Sequence, residues 1–331
     1  MGVRAATLEP VDETADGAGD VGARSRGGRV AAAADVDALA REFGWATVAG
    51  VWRAGGQKHF FLETNSAYAT PGEDGKVEVF SSNQSLASTQ SAVASALGVK
   101  EADVTLVCRR AGGGFGGKLS AQKPAAIAAA IGAALTGAPV RVHNERVDDM
   151  TMMGGRAPAR AEYCAAYDAA SGVVHALWLK LTFDSGCTTG AMGDASMAAQ
   201  NADSAYHTAH YFCRAAIRKQ PHQGNTSCRA PGNIFSIPAH ELVLEHVAAL
   251  IGARPEAVRE ANFYQPGDAT PGGDVLGGAE GEHNWTVDEL WARAKAAGDG
   301  WDARRAAVDA FNAANRWRKR GLCLMLSLIH I

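Results

Sequence analysis

Residues 112–118 read Gly-Gly-Gly-Phe-Gly-Gly-Lys, a run whose backbone can approach a ligand closely. Glycine lacks a Cβ and accepts positive φ, so such a loop can aim consecutive N–H groups at one anion. Two phosphate-binding chemistries use related spacings. Gly112, Gly114 and Gly117 satisfy G-x-G-x-x-G, but the acidic residue a dinucleotide site needs comes late, at Glu145. Gly112, Gly117 and Lys118 match most of a P-loop, yet Leu119 stands where the magnesium-binding hydroxyl belongs and Ser120 falls one residue late. Nucleotide binding is therefore left as a distant alternative.

Three further segments accompany the loop. Residues 55–64 read Gly-Gly-Gln-Lys-His-Phe-Phe-Leu-Glu-Thr, residues 154–156 read Gly-Gly-Arg, and residues 227–232 read Ser-Cys-Arg-Ala-Pro-Gly. In that order, with residues 141–150 before the Gly-Gly-Arg, the set resembles the molybdenum hydroxylases, the xanthine dehydrogenase and aldehyde oxidase family. An ordered set of four is far more specific than any one member. The likeness runs over about residues 35–323.

The resemblance implies a metal held by the dithiolene of a pterin, with the protein supplying hydrogen-bond donors around it rather than a Cys or His cluster. Gln57 would donate from its amide to an oxygen on the metal. Phe115 would present its backbone N–H, Gly113 and Gly114 would admit the pterin, and Arg229 would lie at the cofactor. Arg156 reads as structural, and Lys118 as a lysine pointing to solvent.

Substrate choice follows from three departures. Xanthine dehydrogenases are similar to one another in a glutamate after Gly-Gly-Lys, where this chain has Leu119; a second arginine is replaced by Met197, and a stacking aromatic by Pro231. Each change removes a purine contact and leaves apolar surface. The resemblance thus implies an aldehyde oxidised to a carboxylic acid with oxygen from water. A purine or other N-heterocycle hydroxylase fragment, or a non-catalytic partner module of the same fold, stands as the alternative. The family's general-base glutamate is expected beyond this chain, so no catalytic residue is assigned within it. The iron-sulfur clusters and FAD of the full-length family, and its homodimer, would likewise need other domains.

The rest of the chain must position these groups. It has 331 residues, 47% hydrophobic and 20% charged, with a net charge of −3. No basic stripe suggests nucleic acid, and the longest apolar run, residues 124–135, is mostly alanine and reads as a buried helix rather than a membrane span. Six cysteines without a C-x-x-C pair argue against a zinc or iron-sulfur site in this chain and fit reduced thiols in the cytoplasm. His207 and His210 read as surface or packing residues.

Strands are expected at 77–82, 104–110, 139–143, 161–167 and 173–183, the last with Leu177, Leu179, Leu181 and Phe183 on one face. Helices are expected at 86–97, 120–135 and 239–251, each stopped by a glycine, and at 286–296 and 301–317, with Thr286 and Glu289 as a capping box. This order predicts an α+β fold, the first part of a molybdopterin-binding domain, truncated. Residues 1–34 are expected to be a tail outside the family pattern, and 324–331 a non-native or truncated end.

Overall fold

The structure, a computed structural model, describes residues 19–277 and 285–326. In chain order its elements are β1 (Gly19–Arg26), α1 (Ala33–Phe43), β2 (Ala46–Ala54), β3 (Ser66–Pro71), β4 (Val77–Ser81), α2 (Leu86–Leu97), β5 (Val104–Val107), α3 (Lys123–Thr136), β6 (Val140–His143), α4 (Arg146–Met152), β7 (Ala159–Tyr167), β8 (Val174–Gly186), α5 (Met192–Asn201), β9 (His210–Lys219), α6 (Asn233–Ile251), α7 (Pro255–Asn262), α8 (Val287–Ala296) and α9 (Trp301–Ala314). Two mixed sheets result, ordered β1-β9-β8-β7-β2 and β5-β4-β3-β6. The fold is α+β, as the element order predicts.

Each sheet organises a lobe. The larger lobe packs Leu177, Leu179, Leu181 and Phe183 of β8, all fully buried, with Tyr211 and Ile217 of β9 against α5 and α6. On the opposite face, Val36, Leu39 and Ala40 of α1 meet Cys164, Ala166 and Ala176. The smaller lobe sets α2 and α3 against the four-stranded sheet. It is wholly inserted between β2 and β7, strands that pair antiparallel from Ala46↔Tyr167 to Ala54↔Ala159. Past that pairing, the chain leaving and the chain returning stay side by side through an isolated Gln57↔Arg156 bridge.

The helix stops are where glycine predicts them: Gly98, Gly137 and Gly252 take left-handed φ of 69°, 61° and 69° and close α2, α3 and α6. α3 starts at Lys123 rather than residue 120 because Gly117–Leu119 forms a separate 3₁₀ turn. Thr286 occupies the N-cap of α8, but its side chain makes no capping hydrogen bond, so the capping box does not form. α6 starts at Asn233, six residues earlier than expected. It is long and apolar enough to cross a membrane, yet 56% of its apolar window is buried inside the fold, as in a core helix.

Both ends carry packed residues. Gly19–Arg26, assigned to the tail, forms β1 and pairs with β9 from Ile217 to Tyr211. Leu324 and Leu326 of the closing segment pack half-buried against the larger core. Residues 1–18, 278–284 and 327–331 lie outside the described residues, and with them most of the tail expected at 1–34 and of the end expected at 324–331.

Candidate cofactor site

The four sequence segments meet at the seam between the lobes. The glycine loop follows β5 of the smaller lobe, Gln57 follows β2, Arg156 precedes β7, and residues 224–232 join β9 to α6. Arg156 ties three of them together. Its side chain is buried; Nε donates to Gln57 Oε1 at 3.1 Å, and the terminal nitrogens donate to the carbonyls of Cys228 at 2.8 Å and Arg229 at 2.7 Å. Its backbone N–H also donates to the Gln57 carbonyl at 2.8 Å. Arg156 is structural, as expected, but its structural role is to build the site.

The fourth segment is clamped directly. The Arg229 N–H donates to the Phe115 carbonyl at 2.8 Å, joining the glycine loop to the 224–232 segment. A Cβ on Gly116, whose φ is 96°, would lie 2.4 Å from the Ser227 carbonyl oxygen, so only glycine permits this approach. Phe115 and Ala230 themselves hold positive φ of 51° and 55°. Left-handed non-glycine residues on two facing loops are held by their surroundings and cluster at functional sites.

The glycine loop divides its amides into two sets. The N–H of Gly112 donates to Glu63 Oε2 at 2.7 Å, and those of Gly116 and Lys118 donate to Gln84 Oε1 at 3.0 and 3.1 Å. The N–H groups of Gly113, Gly114 and Phe115 have no acceptor among the described residues. Three consecutive uncommitted donors inside a loop fixed at both ends make a cradle for an anionic group.

Lys118 corrects an expectation. It is fully buried rather than solvent-facing, with Nζ 2.9 Å from both Glu63 Oε2 and Ser82 Oγ and 4.7 Å from the Phe61 ring centroid. Two separate segments, 55–64 and 112–118, each contained one partner of this pair, but only the fold shows them in contact. Burial acts to raise the Glu63 pKa, yet hydrogen bonds from Ser82, Lys118 and the Gly112 N–H hold it below the ordinary value. The carboxylate therefore stays charged and braces the loop.

Behind the loops lie groups that sequence reasoning missed. Asp194 of α5 is fully buried, accepts a hydrogen bond from the Ser227 hydroxyl, and has its pKa raised by burial. His59 donates from Nε2 to the Ser227 carbonyl at 2.8 Å, and burial lowers its pKa. His59 stood inside a recognised motif; Asp194 and Gln84 gave no signal, because their partners lie more than thirty residues away.

Gln57, Phe115, Arg229 and Leu119 are all exposed, and Gly113 and Pro231 are half-buried. Met197 lies on α5, next to Ala198, whose backbone nitrogen is 2.7 Å from an ideal Cβ on Gly232. The structure thus brings the proposed cofactor contacts to one seam, with Met197 on the helix packed against its edge. Among the described residues no cluster of His, Cys, Asp or Glu is arranged to hold a metal directly.

Comparison with known proteins agrees with this geometry. Residues 24–263 match the family described as the molybdopterin cofactor-binding domain. The chain is 33% identical to a xanthine dehydrogenase/oxidase of Gallus gallus over 278 residues, covering 83% of this chain and 20% of that protein. It is 32% identical over 268 residues to an indole-3-acetaldehyde oxidase of Arabidopsis thaliana, covering 81% of this chain and 19% of the relative. Among solved structures, the aldehyde oxidoreductase of Desulfovibrio gigas superposes with a TM-score of 0.74 at 22% identity, over 89% of this chain and 30% of that one. The chain spans about one fifth of the length of the curated relatives it matches. With a matching family that covers β2 to β9 and all four loop segments, this chain belongs to the molybdopterin cofactor-binding domains of the molybdenum hydroxylases.

Proposed function

We propose that the chain supplies one part of the molybdenum cofactor site in a cytoplasmic hydroxylase that oxidises aldehydes to carboxylic acids with oxygen from water. The observation that carries this reading is the set of three uncommitted N–H groups at Gly113, Gly114 and Phe115, set against the Gln57 and Arg229 segments. These residues fit an anionic pterin: three consecutive N–H groups are uncommitted, glycine gives access, and Arg229 adds an exposed positive charge. A metal carried on the pterin needs no His or Cys cluster from the protein.

When bound, the molybdenum cofactor supplies the two-electron redox centre. The chain's own residues do the holding. Gln57, Gly113, Gly114, Phe115 and Arg229 orient the cofactor, while Arg156, Lys118 and Glu63 keep their loops in register. Leu119, Met197 and Pro231 offer apolar contact to the substrate, which favours an aldehyde over a purine. The relatives include proteins of both names, and rat xanthine dehydrogenase/oxidase is 36% identical, so a purine hydroxylase is the competing reading. Iron-sulfur and FAD domains, a homodimer and a general-base glutamate would come from polypeptide outside this region.

Metal and pterin analysis of the 331-residue chain, beside a form extended to the length of its relatives, tests the reading. Molybdenum in the extended form alone, with aldehyde but not xanthine turnover, is the expected result. Folded protein without molybdenum in either form overturns it, and preferential xanthine turnover overturns the substrate assignment.

A further inference from the structure

The smaller lobe carries a concavity of about 540 Å3, on the sheet face turned away from α2 and α3. Strand alternation sends Ala67, Ala69, Val77 and Val79 into the helices. On the other face it leaves a row across all four strands, with Arg141 paired to Tyr68, Tyr68 to Phe80 and Phe80 to Val107. Tyr68 is 40% exposed, and its ring centroid lies 6.2 Å from that of Phe80. The Arg109 guanidinium carbon stands 5.6 Å from the Phe80 centroid. An aromatic floor therefore has the Arg109 guanidinium over Phe80 on one side and Arg141 at the register position beyond Tyr68 on the other.

The charge in this cleft is uncompensated. Arg109, Arg110 and Arg141 line it and make no ion pair among the described residues. Its single carboxylate, Glu63, is committed to Lys118 and to the Gly112 N–H. Guanidinium forks match carboxylate or phosphate oxygens two at a time, and Tyr and Phe faces accept a planar ring. The volume is that of a small-molecule site rather than a groove for a chain.

We propose that this face binds a small aryl or heteroaryl anion, its ring over Tyr68 and Phe80 and its carboxylate or phosphate drawn by the arginines at the two ends of the row, Arg109 and Arg141. The ligand does not depend on molybdenum, so the site persists in chain that carries no cofactor.

Isothermal titration of the purified chain with phenyl phosphate and with benzoate, beside inorganic phosphate and benzyl alcohol, tests it. At least one aryl anion binds, at least about tenfold tighter than inorganic phosphate and than benzyl alcohol. Arg109→Ala and Arg141→Ala each weaken it about tenfold, and Tyr68→Ala weakens it while leaving the inorganic phosphate affinity unchanged. Unchanged thermal midpoints in these variants show that exposed side chains alone were removed. Equal affinity for inorganic phosphate and the aryl anions would reveal a solvated basic patch and overturn the proposal, as would no binding of either aryl anion or affinities within twofold in both arginine variants.

Discussion

The two lobes fill their cores with different side chains. Around the four-stranded sheet every buried core residue is Ala or Val, with Ala125, Ala126, Ala129, Ala130 and Ala133 of α3 facing Ala67, Ala69, Val77 and Val79. Around the five-stranded sheet the core is built from Leu177, Leu179, Leu181, Phe183, Tyr206 and Phe235, with Trp291 at its edge. Large side chains gain stability by the apolar area they remove from water. Small ones gain it by letting helix and sheet approach, and they leave no room for growth. The glycine loop hangs from the tightly packed lobe, immediately before α3, so its position depends on contacts that tolerate the least enlargement.

Truncation and enlargement should separate the lobes. Leu179→Ala in the larger lobe removes a fully buried side chain and is expected to cost about 4 kcal/mol, read from urea unfolding. A cost below about 1 kcal/mol would mean that the core collapses around the gap and would break the comparison. At the seam, Arg156→Met leaves the Cys228 and Arg229 carbonyls without their donor and should cost about 3 kcal/mol. Arg156→Lys should not restore it, since one ammonium cannot reproduce the guanidinium fork. In the smaller lobe, Ala129→Leu overfills a fully buried position for about 2 kcal/mol, and cofactor content of the extended protein should fall with it. Wild-type stability and cofactor content in that variant would sink the account of tight packing.

The smallest effect concerns pH at the seam. Burial lowers the pKa of His59 from 6.5, so its neutral form contributes stability that is fully present above 6.5 and is lost as pH falls toward the lowered value. His59→Gln should therefore flatten part of the decline in thermal midpoint between pH 7.5 and 5.5. A parallel decline in wild type and variant would assign the effect to the other buried histidines, such as His240, whose pKa burial pushes down to about 4.

Legibility in the sequence follows the same physical division. β8 was readable because apolar and polar residues alternate through Leu177, Leu179, Leu181 and Phe183, and α2 because Gly98 marks where it stops. β1, β2 and α5 were not, since Gly, Ala, Ser and Met give no strong period; α5 is set by packing of Ala195, Ala198 and Ala199 against its neighbours. β9 was overlooked although Tyr211, Cys213, Ala215 and Ile217 alternate cleanly. Gln57, Phe115 and Arg229, the proposed cofactor contacts, were picked out through their motifs. The burial of Lys118 and the hub made by Arg156 were not, because each depends on carbonyls or carboxylates more than fifty residues distant in the chain.

The insertion of the smaller lobe between β2 and β7 also bears on the order in which the molecule assembles. Pairing Ala54 with Ala159 in an unfolded chain means closing a loop of about a hundred residues, an entropic cost that grows slowly with length but slows non-local strand pairing. Once residues 66–152 have collapsed around their own sheet, their ends emerge as neighbours, and the remaining closure involves only the short stretches around Gln57 and Arg156. The early compact lobe then acts as a splint for the long-range ladder. The neck residues that complete this zipper are those that order the cofactor loops, so a chain arrested before closure has no formed cradle to load.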